Sequence, residues 1–133
     1  MDPIKIIQKF YKIDSVAYGL LVPHSQAVAQ KALEIARRVP QFWKKRVCRV
    51  MLVGMGISAQ DIEAQNLPLP KRDMTPVSIE EKIICFADKF FSKSKGKDFL
   101  MAEKSVEQVR ESQMRFNPDK VKVFDEWLEL FGY

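Results

Sequence analysis

EKIICFADKFF, residues 81–91, has the spacing of a buried helix with one carboxylate, Asp88, set into it. At about 100° per residue, Ile83, Phe86, Ala87 and Phe90 join Ile79 in one apolar arc, and Asp88 falls at its border beside Ile84 and Phe91. Ser78 precedes the run as an N-cap. A carboxylate in that position needs a partner, because leaving it desolvated and unpaired costs several kcal/mol or drives its pKa up. One reading is an ion pair with a lysine or a hydrogen bond to a neighbouring helix end. The other is a metal or reaction centre. His24, the only histidine in the chain, holds a matching border position close to Val28 and Ile35. If the two face each other across a bundle, they begin a nitrogen-plus-oxygen site of the kind first-row metals accept.

The helical period continues on both sides of this run. Asp2-Pro3 reads as an N-cap with proline at N1, opening a short helix over about 3–11 that docks through Ile4, Ile7, Phe10 and Tyr11. A second helix is expected from about Val22 or His24 to Val39, with Val28, Ala32, Ile35, Ala36 and Val39 as its stripe and Pro40 as its stop. Trp43, Val47, Val50 and Met51 recur at helical spacing over about 42–53, opposite Lys44, Lys45 and Arg49. Gly54 and Gly56 break that pattern, Ser58 caps a short helix through about Gln65, and NLPLPKRDMTP is a loop with three prolines. Two further helices follow at about 102–115 and 118–131, the last with Val121, Phe124, Leu128 and Phe131 inward and Gly132 at its end. No period-two run, internal repeat or domain boundary stands out. The pattern predicts one small all-α bundle over residues 1–133, with an atypical segment at about 41–57.

Composition sets the outer bounds. A chain of 133 residues can bury roughly two-thirds of its unfolded surface, and 47% hydrophobic with 29% charged residues is a globular balance. No window approaches the roughly 18 apolar residues of a membrane span. The N-terminal MDPIKIIQKFYK has no apolar core of a signal peptide, and Cys48 and Cys85 stand apart, so reduced thiols and a cytoplasmic home are expected. Cys85 reads as a small apolar filler. The net charge of +5 is compatible with phosphate-bearing partners without requiring them. GMG at 54–56 lacks the lysine of a phosphate-cradling loop and reads as a turn.

From SVAYGLLVPHSQAVAQKALEIARR (15–38), DIEAQNLPLPKRDMTPVSIEEKIICFADKFFSKSK (61–95), KSVEQVRESQMRF and VKVFDEWLELF, the chain resembles bacterial members of the HD superfamily of helical, metal-dependent phosphohydrolases. The resemblance implies an all-α, HD-domain-like fold and a divalent ion (Mn, Fe, Ni, Co or Mg). The family's ligands are a histidine on an early helix, an adjacent His-Asp doublet and a later helical aspartate. His24 in LVPHSQAVA matches the first and Asp88 in CFADKFFSK the last. Lys89 matches a position where a cation beside the metal would neutralise substrate phosphate. The implied substrate is a phosphorylated small molecule or nucleotide, attacked at phosphorus by a metal-bound water.

The doublet itself is missing, since a chain with one histidine cannot contain it. VMLVGMGIS (50–58) can be laid over the doublet, with Val53 and Gly54 in place of His and Asp. It fits better on the later Arg-His-x-Gly-x-Gly turn of such proteins, again without its histidine. The central segment then reads as deleted or frameshifted, with 41–53 a replacement or junction. The encoding DNA, aligned with a relative, would test this; a shared uninterrupted frame would refute it. The implied activity is accordingly impaired, and apolar surface left by a lost helix would favour a homodimer. A different class of function comes from residues 34–61. Arg37, Arg38, Lys44, Lys45, Arg46 and Arg49 lie there with Phe42 and Trp43 and no acid between Glu34 and Asp61. That composition suits a non-catalytic basic module for a protein partner or anionic surface, with nucleic acid the less expected ligand.

Overall fold

The computed structural model describes residues 2–39, 56–91 and 102–133, and these form helices joined by irregular connections. Helix α1 (Pro3–Phe10) starts on the Asp2 side chain, which accepts from the Ile4 amide, as the Asp-Pro signal predicts. It docks less completely than the sequence suggests. Ile4, Ile6 and Ile7 are half-buried against α2 (Val16–Arg38), whereas Phe10 and Tyr11 face solvent. The helix ends before Tyr11, whose extended conformation carries it off the docking face.

Helix α2 begins earlier than the expected Val22 or His24. Ser15 caps it by accepting from the Tyr18 amide, and Pro23 lies inside the helix instead of opening it. A proline in a helix interior normally costs about 3 kcal/mol. Here the turns before it are retained, with Leu20, Leu21 and Val22 half-buried. Beyond Pro23, Val28, Ile35, Ala36 and Val39 are buried and Ala32 is half-buried, which is the predicted stripe, and His24 is buried at its border.

Helix α3 (Ala59–Ala64) is closed at its start by a capping box between Ser58 and Asp61. The Pro-rich segment after it is irregular apart from one antiparallel bridge, Ile57 to Met74. Helix α4 (Ile79–Lys89) carries a second capping box, Ser78 with Glu81, whose carboxylate also accepts from the Val77 amide. Helix α5 (Val106–Phe116) starts four residues later than expected, because Ser105 and Gln108 form the cap and Lys104 N–H instead donates to the Phe90 carbonyl. Helix α6 (Asp119–Phe131) ends on Gly132 in the left-handed region at φ +68°. The expected helix over 42–53 lies outside the described residues.

Helix α4 is the centre of the described fold. It packs on α2 along one side and reaches α6 on another, while α5 packs on α6. Phe86 is fully buried and touches Phe90, Phe124, Phe131 and Tyr133 with ring centroids 5.1–5.4 Å apart. Burial of each such ring contributes roughly 1.5–3 kcal/mol, with edge and offset geometries adding to it. Ile83, Ala87 and Phe90 complete the predicted arc, Ile79 is half-buried at its margin, and Cys85 fills space within the core as expected. The fold is all-α: among the described residues there is no strand.

Candidate functional site

The long central helix and the aromatic packing of α4 bring His24 and Asp88 together across 64 residues of sequence. His24 Nε2 lies 2.8 Å from Asp88 Oδ1. The two ends of this pair sit in different surroundings. The imidazole is 8% exposed, whereas the carboxylate keeps 36% of its surface in contact with solvent. Asp88 is thus at the border of the apolar face, as its helical position predicts, and its partner comes from the neighbouring helix.

The pair accounts for one imidazole nitrogen and leaves the other unexplained. His24 Nδ1 is buried and has no hydrogen-bond partner among the described residues. A buried polar atom left in this way costs about 1–3 kcal/mol. Helix α2 therefore holds a histidine that packing alone would replace with an apolar residue. An imidazole nitrogen and a carboxylate oxygen 2.8 Å apart are close to the separation of adjacent ligands of one octahedral ion, which is about 3.0 Å for bonds of roughly 2.1 Å at a right angle. His24 and Asp88 fit a divalent cation in donor type and spacing. They do not complete a site, because no group of three or more His, Cys, Asp or Glu side chains among the described residues is arranged to hold a metal.

Lys89 follows Asp88 directly but serves another side of α4. Its ammonium donates to Gln113 Oε1 at 3.3 Å on α5 and stands 5.9 Å from the Trp127 ring centroid on α6. Adjacent helical residues diverge by about 100°, so the turn that aims Asp88 at α2 aims Lys89 at the α5 and α6 side. Of the other basic positions weighed from the sequence, Arg37 and Arg38 are exposed at the end of α2. Lys44, Lys45, Arg46, Arg49 and the lysines at 93, 95 and 97 lie outside the described residues, as does the stretch laid over the missing doublet up to Met55.

Two buried polar centres escaped the sequence reading. The first is Asp61, 5% exposed. Its Oδ2 accepts from Lys120 Nζ at 2.8 Å and from the Ser58 amide and hydroxyl, while Oδ1 accepts from Asn117 Nδ2 at 2.8 Å. Burial alone would raise its pKa, but Lys120, Ser58 and Asn117 outweigh it and hold the carboxyl well below the ordinary range. Lys120 also donates to the Gly56 carbonyl at 2.7 Å, so this centre ties the loop before α3 to the start of α6. The cap at Ser58 was visible in the sequence; the lysine 59 residues beyond Asp61 was not.

The second is Lys31. It pairs with Glu103 and lies 5.0 Å from the Phe90 ring centroid and 5.1 Å from that of Tyr133. Burial lowers its pKa, but Glu103 and Tyr133 more than offset this and the net shift is upward. The aliphatic stem crosses the hydrophobic face while the charge finds its acid, and an acid so far along the chain is not visible from helical spacing.

Among the described residues no helix is long and apolar enough to cross a membrane. No family model, no curated protein and no solved structure matches this chain.

Proposed function

We propose that this chain is a domain derived from an HD-type metal-dependent phosphohydrolase, with His24 and Asp88 as the surviving pair of a divalent-cation site. The observation that carries the reading is their 2.8 Å approach across two packed helices. A metal-bound imidazole ordinarily donates its other ring N–H to a carboxylate, carbonyl or water, and no acceptor for His24 Nδ1 stands among the described residues, so the reading rests on the approach of Nε2 to Asp88 Oδ1.

In this reading His24 Nε2 and Asp88 Oδ1 hold the cation. When bound, the ion supplies an acidified water for attack on a phosphate monoester or nucleotide phosphate. The chain's own contribution is to fix two ligands on packed helices, α2 and α4, and to keep the imidazole away from bulk water. With the His-Asp doublet absent from the sequence, each lost ligand weakens the ion's binding about tenfold or more. The expected protein binds a cation weakly and hydrolyses slowly at best. Self-association to cover a surface left by the altered segment, about 41–57, belongs to the same proposal.

The test is a thermal melt with and without Mn²⁺ on the wild type, His24→Ala and Asp88→Ala, run beside a hydrolysis assay on p-nitrophenyl phosphate. A midpoint raised by Mn²⁺ in the wild type alone supports the reading. A cooperative melt indifferent to Mn²⁺, with no metal-dependent hydrolysis, overturns it.

A further inference from the structure

A cavity of about 260 Å³ lies on the side of α4 away from His24, between α4, α5, α6 and the loop that carries Gly56. That volume is far more than the roughly 10–15 Å³ one water needs. Three lysines line it: Lys82 and Lys89 from α4 and Lys120 from α6. All three are half-buried.

Their existing partners leave the charge uncompensated. Lys120 is balanced by Asp61, and among the described residues Lys89 has only the neutral Gln113 oxygen and the Trp127 ring. The Lys82 ammonium has no hydrogen bond or ion pair among the described residues. Glu126 is the single carboxylate among the residues that line the cavity, and it is exposed at the rim. Even with Asp61 and Glu126 counted against them, the lysines keep the cavity net positive. Like charges gathered at a partly desolvated surface repel one another and are penalised by burial, and an anion between them reverses both terms.

The neutral lining is equally suited to an oxyanion. The Thr75 hydroxyl and the Gln113 amide supply donors beside the ammonium groups. Gly56 adopts φ +64°, and a Cβ there would stand 3.2 Å from Cys85 Sγ and 3.6 Å from Lys89 Nζ. The backbone thus approaches the lysine closely at a position only glycine occupies without strain.

We propose that this cavity is a second site, separate from the His24–Asp88 pair, which binds a phosphate group, either free or carried by a small phosphomonoester. Lys82 and Lys89 supply the charge contacts, and Thr75 and Gln113 complete the oxygen shell. The proposal does not depend on the metal reading.

The test uses the full chain in EDTA, so that metal binding plays no part. The thermal midpoint is followed against inorganic phosphate, and separately against glycerol phosphate, with chloride as a control at matched ionic strength. A saturable phosphate-specific rise is expected. Lys82→Gln and Lys89→Gln should each weaken it about tenfold, the usual effect of losing one hydrogen bond to a charged group. The exposed controls Lys71→Gln and Lys122→Gln should leave it unchanged. Glu126→Gln removes an exposed rim carboxylate without disturbing the core, and should tighten phosphate binding even if a lysine variant folds poorly. A tighter response to glycerol phosphate than to phosphate assigns the monoester as ligand; the reverse assigns the free ion. An equal rise with chloride, or a phosphate response unchanged in both lysine variants and in Glu126→Gln, overturns the site.

Discussion

Two buried polar pairs of this molecule make opposite use of the same ingredients. Asp61 meets a cation, an amide donor from Asn117 and both the amide and hydroxyl of Ser58, so its two oxygens are occupied from several directions. His24 is just as deeply placed, yet one of its nitrogens has no partner among the described residues. The first arrangement is what a protein builds when a buried charge must hold structure together. The second leaves part of a buried group's hydrogen-bonding capacity unused. The distinction lies in the completeness of the hydrogen-bonding shell and not in depth, because both groups are less than a tenth exposed.

The comparison breaks most visibly at Asp61. Asp61→Ala leaves Lys120 largely buried beside the Gly56 carbonyl with no acid, and removing one partner of such a pair destabilises by about 3–5 kcal/mol. Urea unfolding should show this as a fall in midpoint with little change in slope. A loss under about 1 kcal/mol would mean that the centre is ornamental and the contrast with His24 false.

Acid should act through the same group. Its folded pKa is depressed, so the unfolded chain takes up the proton first as pH falls below the ordinary aspartate value of about 4. The stability from Asp61 is therefore complete above about pH 4 and drains away below it. Glu81, held low by the Val77 and Ser78 amides, adds in the same direction. A pH series of denaturant midpoints should bend downward there, and Asp61→Asn should flatten the bend.

Asp88→Asn should cost about 1 kcal/mol or less, because the carboxylate is over a third exposed and solvent screens the interaction. Circular dichroism melts would measure it, and a loss comparable to that of Asp61→Ala would make the His24 pair structural after all. Smallest of all is Arg115→Ala, which removes an exposed pair with Glu111 one helical turn away and should change stability by about 0.3–0.5 kcal/mol.

Much of this was legible from residue spacing. The apolar arc of α4, the stripe of α2 after Pro23 and the caps at Asp2, Ser58 and Ser78 are local signals, and each is where periodicity and capping chemistry place it. Asp88 at the edge of its helix was legible for the same reason. That His24 would be the residue opposite it came from pairing two border positions, which helical wheels suggest but cannot join. The failures share a cause. The expected start of α2 near Val22 or His24 fails because packing of the turns before Pro23 outweighs the cost of an interior proline. Lys31 and the lysine of the Asp61 centre were invisible because a long side chain's destination depends on elements far away in sequence. The turn of Lys89 toward α5 and α6 follows from a bundle arrangement that one helix does not encode.

Pro23 has a further consequence. Its ring nitrogen carries no hydrogen, so the Gly19 carbonyl lacks the helical bond it would otherwise receive, and α2 is joined across that point by fewer links than its length implies. Behind the gap lies the deeply packed part that carries His24; ahead of it are two turns held by α1 and by residues that are nowhere fully buried. The amides of residues 16–22 should accordingly exchange with solvent through openings that leave those of 28–36 protected, so that the N-terminal third of the helix and α1 form a cooperative unit of their own.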